Sequence, residues 1–202
     1  MITADVQAKM SPKEALNRLV EGNERFTKNY REQHNYREEV ASAATGQWPF
    51  AVVLSCIDSR TSPSIIFDQS IGDFFNTRVA GNVVNDDVLA SMEYAVKYAG
   101  AKLVVVLGHT SCGAVTSACK GVKDGHITAL LDKIRPSIEH CGCGRGSALD
   151  VDRVAADHVE SSLEEVRKRS DILAKMEGNG DIMIVGAMYD IASGVVTFMN
   201  AN

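Results

Sequence analysis

Three short apolar runs stand out along the chain: Phe50-Ala51-Val52-Val53-Leu54, Leu103-Val104-Val105-Val106-Leu107 and Ile182-Met183-Ile184-Val185-Gly186-Ala187. Each has the length and composition of a strand buried on both faces. Between them the period changes. Leu16, Leu19, Val20 and Phe26 recur at helical spacing behind Ser11-Pro12-x-Glu14, an N-cap with proline at the first helical position. Leu89, Met92, Tyr94, Ala95 and Tyr98 mark a second helix, capped by Asp86 or Asp87 and ending near Gly100. A third, long and charged, is predicted over 154–177, with Val159, Leu163, Val166, Ile172 and Leu173 on its apolar side and Gly178-Asn179-Gly180 beyond it. A helix that bridges two buried strands is a βαβ unit and makes those strands parallel. Residues 195–198, entered through a turn at 189–194, are predicted as an antiparallel edge strand. The fold class is α/β: a mostly parallel central β-sheet with an antiparallel edge strand and helices on both faces.

The remaining segments are weaker in pattern. Thr61-Ser62-Pro63 can start a short helix holding Ile65, Ile66 and Phe67, and residues 72–79 read as a short strand after a turn. Residues 28–39 are polar and charged, a surface connection or short helix. A loop at 121–126 precedes a helix around 127–138. Gly46-Gln47-Trp48-Pro49 is a turn into the first strand, and on loop composition alone Gln47 is a solvated turn residue.

A chain of 202 residues with 45% hydrophobic content suits one domain, 1–202, with a sizeable core. Its formal charge of -5 argues against a nucleic-acid binder, which would normally show a basic stripe. No apolar run is long enough to span a bilayer, and the first residues lack the pattern of a secretory leader. A cytoplasmic location is expected, or a periplasmic or secreted one if a leader has been removed. Five cysteines, an odd number, do not make a disulfide framework, which points to a reducing compartment.

Candidate chemistry gathers where two predicted strands end. Cys56 directly follows the first, and the second runs through Gly108 into His109-Thr110-Ser111-Cys112-Gly113. Ligand sites in open parallel sheets lie outside the carboxyl ends of the strands, so Cys56, His109 and Cys112 can share one crevice. Two thiolates and an imidazole are the protein ligands of a catalytic zinc site with its fourth position open. Asp58 and Arg60 follow close behind Cys56, a carboxylate within reach of that position and a guanidinium to hold it. Cys112 also begins a helix, where the dipole favours its thiolate. Cys141-Gly142-Cys143-Gly144 lacks the further ligands of a second metal site and reads as a loop with incidental thiols, and Cys119 as packing. His126, His140 and His158 read as surface or capping residues.

Cys56-x-Asp58-x-Arg60 with His109-x-x-Cys112 resembles the β-class carbonic anhydrases. So do Glu21-Gly22-Asn23-Glu24-Arg25-Phe26, Gly46-Gln47, Arg78-Val79-Ala80-Gly81-Asn82, Glu93-Tyr94-Ala95 and Gly186-Ala187-Met188-Tyr189-Asp190, so that the likeness runs from about residue 12 to 198. The resemblance implies one Zn2+ per subunit on Cys56, His109 and Cys112, with Asp58 and Arg60 orienting a zinc-bound hydroxide that attacks carbon dioxide to give bicarbonate and a proton. It further implies that Gln47, Phe75, Tyr94 and Gly113 bind substrate, Phe75 and Tyr94 as an apolar wall. In the family the pocket forms at a subunit interface, so a homodimer or homotetramer is expected, with Gln47 and Phe75 serving a neighbour's zinc. Residues 1–45 would be an N-terminal helical arm and 46–202 the α/β zinc-binding core.

One branch of the family closes its site through the aspartate and holds regulatory bicarbonate with a tryptophan, an arginine and a tyrosine. Arg78 and Tyr94 match two of those places, but the tryptophan place is Val53, which implies the open, plant-like branch. Similar scaffolds hydrolyse carbon disulfide, and a zinc or thiol sensor without turnover is a further alternative. Asp58 and Arg60 would be superfluous in a sensor.

Overall fold

Five strands make a single sheet in the computed structural model, which describes residues 2–141 and 148–199. They are β1 (Ala51–Ser55), β2 (Phe74–Arg78), β3 (Leu103–His109), β4 (Met183–Tyr189) and β5 (Val196–Met199), in the order β2-β1-β3-β4-β5. The first four run parallel, and β5 lies antiparallel to β4 at the edge. Because side chains alternate along a strand, each all-apolar run feeds two cores at once. Ala51, Val53, Leu103, Val105 and Val185 face one side, whereas Val52, Leu54, Val104, Val106 and Ile184 face the other.

The first face is covered by α1 (Ala4–Lys9) and α2 (Pro12–Thr27). Ser11 caps α2, as its sequence predicts, and Glu14 completes a full capping box. Ala15, Leu16 and Leu19 are buried against Phe50, Val53 and Phe67; full burial of each such leucine contributes about 1.5–3 kcal/mol. The stripe on α2 is therefore spent on its own sheet. Polar residues of the same helix tie it down: Asn23 donates to the Ile66 and Gly194 carbonyls and accepts from the Val196 N–H at 2.8 Å. The segment that follows contains α3 (Tyr36–Ala43), which buries none of its residues.

On the second face lie α5 (Asp86–Lys97), α9 (Ala148–Arg169) and α10 (Asp171–Gly178). Here α9 comes unusually near the strands. A methyl group on Gly108 would stand 2.6 Å from a Val159 methyl, and one on Gly186 would stand 2.7 Å from the other. Glycine at both positions is what lets α9 sit on β3 and β4. The smaller helices α4 (Pro63–Ile66), α6 (Gly113–Cys119), α7 (Gly125–Leu131) and α8 (Arg135–Cys141) occupy the loops at the carboxyl end of the sheet or near it. Among the described residues no helix is long and apolar enough to cross a membrane.

Several local expectations need correction. The cap of α5 is Asn85, whose side chain accepts from the Val88 N–H, not Asp86 or Asp87; those aspartates sit in the first turn, where they suit the dipole. The helix expected over 154–177 is two helices. Ser170 leaves helical geometry, accepts from the Leu173 N–H and donates to Glu93, so the chain re-aims and both Val166 and Leu173 stay buried. The helix expected around 127–138 is likewise divided into α7 and α8. His158 is not a surface residue: it is 4% exposed, 3.3 Å from the Ser137 hydroxyl, and burial pushes its pKa down. His140 is exposed and pairs with Asp157. Cys119 is half-buried at the end of α6, and Cys143 lies outside the described residues.

Candidate metal centre

Parallel pairing of β1 with β3, Ser55 opposite Leu107, brings both carboxyl ends out on the same edge of the sheet. Cys56 leaves β1 there, and His109 is the last residue of β3. The chain then turns through Thr110 and Ser111 to Cys112, the N-cap of α6. As a result Cys56 Sγ, a ring nitrogen of His109 and Cys112 Sγ all lie within 4.8 Å of one another, and all three residues are buried.

The donor set fits a metal ion. His109 Nδ1 lies 2.9 Å from the Thr110 carbonyl, which can only accept, so Nδ1 carries the hydrogen and Nε2 a free lone pair. That Nε2 is buried and makes no hydrogen bond. A buried nitrogen acceptor without a partner beside two thiols is costly unless a cation completes it. The thiols press the same way. Cys56 is pushed down by a hydrogen bond from Cys112, helped by the backbone N–H groups of Asp58 and Gly81. Cys112 is pushed up, first by that bond to Cys56 and then by burial, against the N–H groups of Val115 and Ala114 at the start of α6. One thiolate thus discourages the second, and a divalent cation between them would remove the conflict.

Beside this set stands a carboxylate held in place. Arg60 grips Asp58 with two bonds, Nε to Oδ1 at 2.9 Å and Nη2 to Oδ2 at 2.7 Å, and the Arg60 N–H adds a third to Oδ1 at 3.0 Å. That side-chain bond, opposed by some burial, holds Asp58 well below the usual carboxylate range. The sequence pattern does not show which residues brace this loop. Arg78 donates to the carbonyls of Cys56 and Asp58 at 3.0 and 2.7 Å, and the buried Thr61 hydroxyl lies within bonding distance of the same two carbonyls. Thr110 Oγ1 meets Asp190 and accepts from the Ile191 N–H, which ties the His109 loop to the end of β4. Such roles leave no local signal, because each partner lies at a long sequence separation.

The other expected site residues are dispersed. Gly113 adjoins Cys112, and a methyl group there would meet nothing within 4 Å, so the space at that position is open. Phe75 and Tyr94 pack edge to face with centroids 6.4 Å apart. They line a groove with Val52, Thr77, Asp87 and Ala90 that contains none of the three ligands. Phe75 is paired with Val52, four residues short of Cys56; at the rise of a strand that is about 13 Å along the sheet. Gln47 is exposed and precedes β1, at the opposite end of the strand from Cys56.

A Cys–His–Cys set at the carboxyl edge of a parallel sheet, with a fixed carboxylate alongside, has the donor types that could hold one metal ion with a coordination position left open. The chain belongs to the carbonic anhydrase family, whose model matches residues 51–196, and it has the fold of the β class. It is 38% identical over 192 residues to carbonic anhydrase 2 of Mycobacterium tuberculosis, covering 91% of each chain. It is 39% identical over 165 residues to a carbonic anhydrase of Mycolicibacterium smegmatis, covering 79% of each. Among solved structures it resembles a β-carbonic anhydrase of Aspergillus fumigatus, with TM-score 0.73, 28% identity and 83% of each chain covered. The fold is shared with tetrameric β-carbonic anhydrases of Sordaria macrospora, at TM-score 0.73 and 24% identity, over 80% of this chain and 85% of that one.

Proposed function

We propose that this protein catalyses the reversible hydration of carbon dioxide to bicarbonate and a proton, with one zinc ion per subunit held by Cys56, His109 and Cys112. The observation that carries the reading is the buried, unpartnered Nε2 of His109 converging with two thiols beside the Asp58–Arg60 pair. Zinc bound there supplies a Lewis acid that brings the pKa of water toward neutrality.

The chain's own groups do the rest. Asp58, kept ionised by Arg60, accepts a hydrogen bond from the attacking oxygen and turns its lone pair toward carbon. Both Asp58 oxygens are engaged by Arg60, which favours a site left open rather than closed by the carboxylate. Gly113 leaves room for the substrate to approach. Carbon dioxide has no net charge, so the remaining recognition falls to an apolar wall. Within one chain Gln47, Phe75 and Tyr94 are separated from the metal set, and we infer that they act on a neighbouring subunit's centre. The half-exposed Tyr94 and the exposed Tyr98, stacked at 6.0 Å beside the edge strand β2, support self-association on that side.

Stopped-flow hydration of carbon dioxide, repeated after zinc is stripped by a chelator and restored, tests the reading. Activity that vanishes and returns with zinc is the expected result. Inactivity of zinc-loaded protein across the pH range would turn the assignment to another small substrate or to a zinc protein without turnover.

A further inference from the structure

Ser111 stands between two of the three metal-set residues in a conformation that side chains disfavour. Its φ is 54°, in the left-handed region, where Cβ crowds the backbone of a non-glycine residue. Something must hold it there. Two groups do so, one at each end of the residue. The Ser111 N–H donates to Asp152 Oδ1 at 2.6 Å, and its carbonyl accepts from Arg60 Nη2 at 3.3 Å. The first is the shorter bond, and it comes from α9, 41 residues further on.

This helix is well placed to act as a fixed support. Val151, Val154 and Ala155, around Asp152, are buried in the same apolar cluster as Cys56 and Cys112. Further along α9, Val159 sits on Gly108 of β3, the residue before His109, and on Gly186 of the adjoining β4. Asp152 therefore has a fixed position relative to β3, and a hydrogen bond to a carboxylate is stronger than one between neutral groups. The left-handed residue reverses the chain between His109 and Cys112, which is what lets the imidazole and the second thiol both face Cys56.

We propose that Asp152 is a positioning residue of the metal centre: through the Ser111 N–H it holds the turn that aims His109 and Cys112 at Cys56. The inference rests on the reading of Cys56, His109 and Cys112 as metal ligands, and needs no assumption about the substrate.

Zinc release to a chromogenic chelator from the zinc-loaded full chain gives the test, together with the visible spectrum of the cobalt(II)-substituted protein. Loss of an outer partner of a metal ligand weakens metal binding by about 10–100-fold, so Asp152→Ala is expected to release zinc faster by about that factor and to alter the thiolate-to-cobalt absorption. Asp152→Asn, which keeps an oxygen acceptor, should stay within about threefold of the parent protein. Adding Ser111→Gly to Asp152→Ala should restore slow release, because glycine adopts the left-handed conformation without a clamp. Arg153→Ala, an exposed neighbour on α9, controls for the helix itself. Should Asp152→Ala fail to fold, Asp152→Ser, too short to reach the Ser111 N–H, carries the same readings. Release from Asp152→Ala at the parent rate, or a double variant no slower than the single one, would overturn the proposal. A parent protein that binds no zinc would sink the metal reading itself, and this inference with it.

Discussion

Arg60 bonds to the Ser111 carbonyl at 3.3 Å while its other contacts hold Asp58, so one guanidinium fastens the Cys56 loop to the His109–Cys112 loop. The two motifs lie far apart in the chain, and each leaves a parallel strand. Nothing in the sheet itself fixes the distance between their loops. Arg60 spans that gap, and its planar fork suits the task because it can bind a carboxylate with two nitrogens and keep contact with a carbonyl.

A lysine cannot reproduce that fork. Arg60→Lys should keep zinc but leave Asp58 poorly aimed, with kcat lowered by about 10–100-fold; Asp58→Asn should lose about 100-fold or more, a general-base-sized effect. Stopped-flow rates beside zinc content by elemental analysis check both. Full activity in Asp58→Asn would remove the carboxylate from the mechanism.

Mixing two inactive proteins tests whether Gln47 serves a neighbour. If it does, each hybrid of Gln47→Ala with Asp58→Asn contains one centre of two that has both Asp58 and Gln47, and an equimolar refolded mixture, about half of it hybrid, recovers toward about a quarter of the parent activity. If Gln47 serves its own centre, unfolding and refolding the mixture recovers nothing. The placement of Gln47 before β1 and Cys56 after it predicts recovery.

The seat of α9 predicts a packing defect. Gly108→Ala would force a methyl group to 2.6 Å from Val159 and should destabilise the fold by about 1–3 kcal/mol, the usual cost of overpacking. Adding Val159→Ala should return part of that loss, a coupling expected of residues in contact. Urea unfolding of the parent, both single variants and the double variant closes the cycle.

A histidine away from the centre predicts pH dependence. His34 Nδ1 lies 2.9 Å from Glu39 and Nε2 lies 3.1 Å from Asp68, which Arg25 also grips at 2.6 Å. Burial opposes the charged imidazole, but the bonds to Glu39 and Asp68 outweigh it, and its pKa is raised. Those of Glu39 and Asp68 are lowered: burial opposes their ionisation, but hydrogen bonds outweigh it, from the Ile71 N–H on Glu39 and from Arg25 on Asp68. A raised pKa gives stability that is complete below the unfolded value, about 6.5 for histidine, and lost as pH rises through the folded one. The carboxylates give stability that is present above about pH 4 and lost on acidification. The clamp is thus strongest between roughly pH 4 and 6.5. From pH 6 to 8.5 its loss should lower Tm. Thermal unfolding of His34→Gln should lack that part of the decline; an undiminished decline would discard the clamp.

The sequence by itself determined the buried strands, their parallel direction, the cap at Ser11 and the three residues of the Cys–His–Cys cluster, because each is written in a short stretch. Apolar runs and helical spacing report burial directly, and Cys56, His109 and Cys112 stand where strands must end. Tertiary structure alone decided what holds those residues to their task. Arg78 on the Cys56 loop, Asp152 on Ser111 and His34 between Glu39 and Asp68 are bonds across the fold, made by residue types that are usually solvated. It also decided where the chain departs from its local pattern. Ser170 interrupts a continuous amphipathic stretch because the two halves must pack in different directions, and Asn85 takes the cap before two aspartates because the chain enters α5 there in extended form. Local patterns record which face is buried. The partner across the fold is set by chain topology, which no short stretch contains.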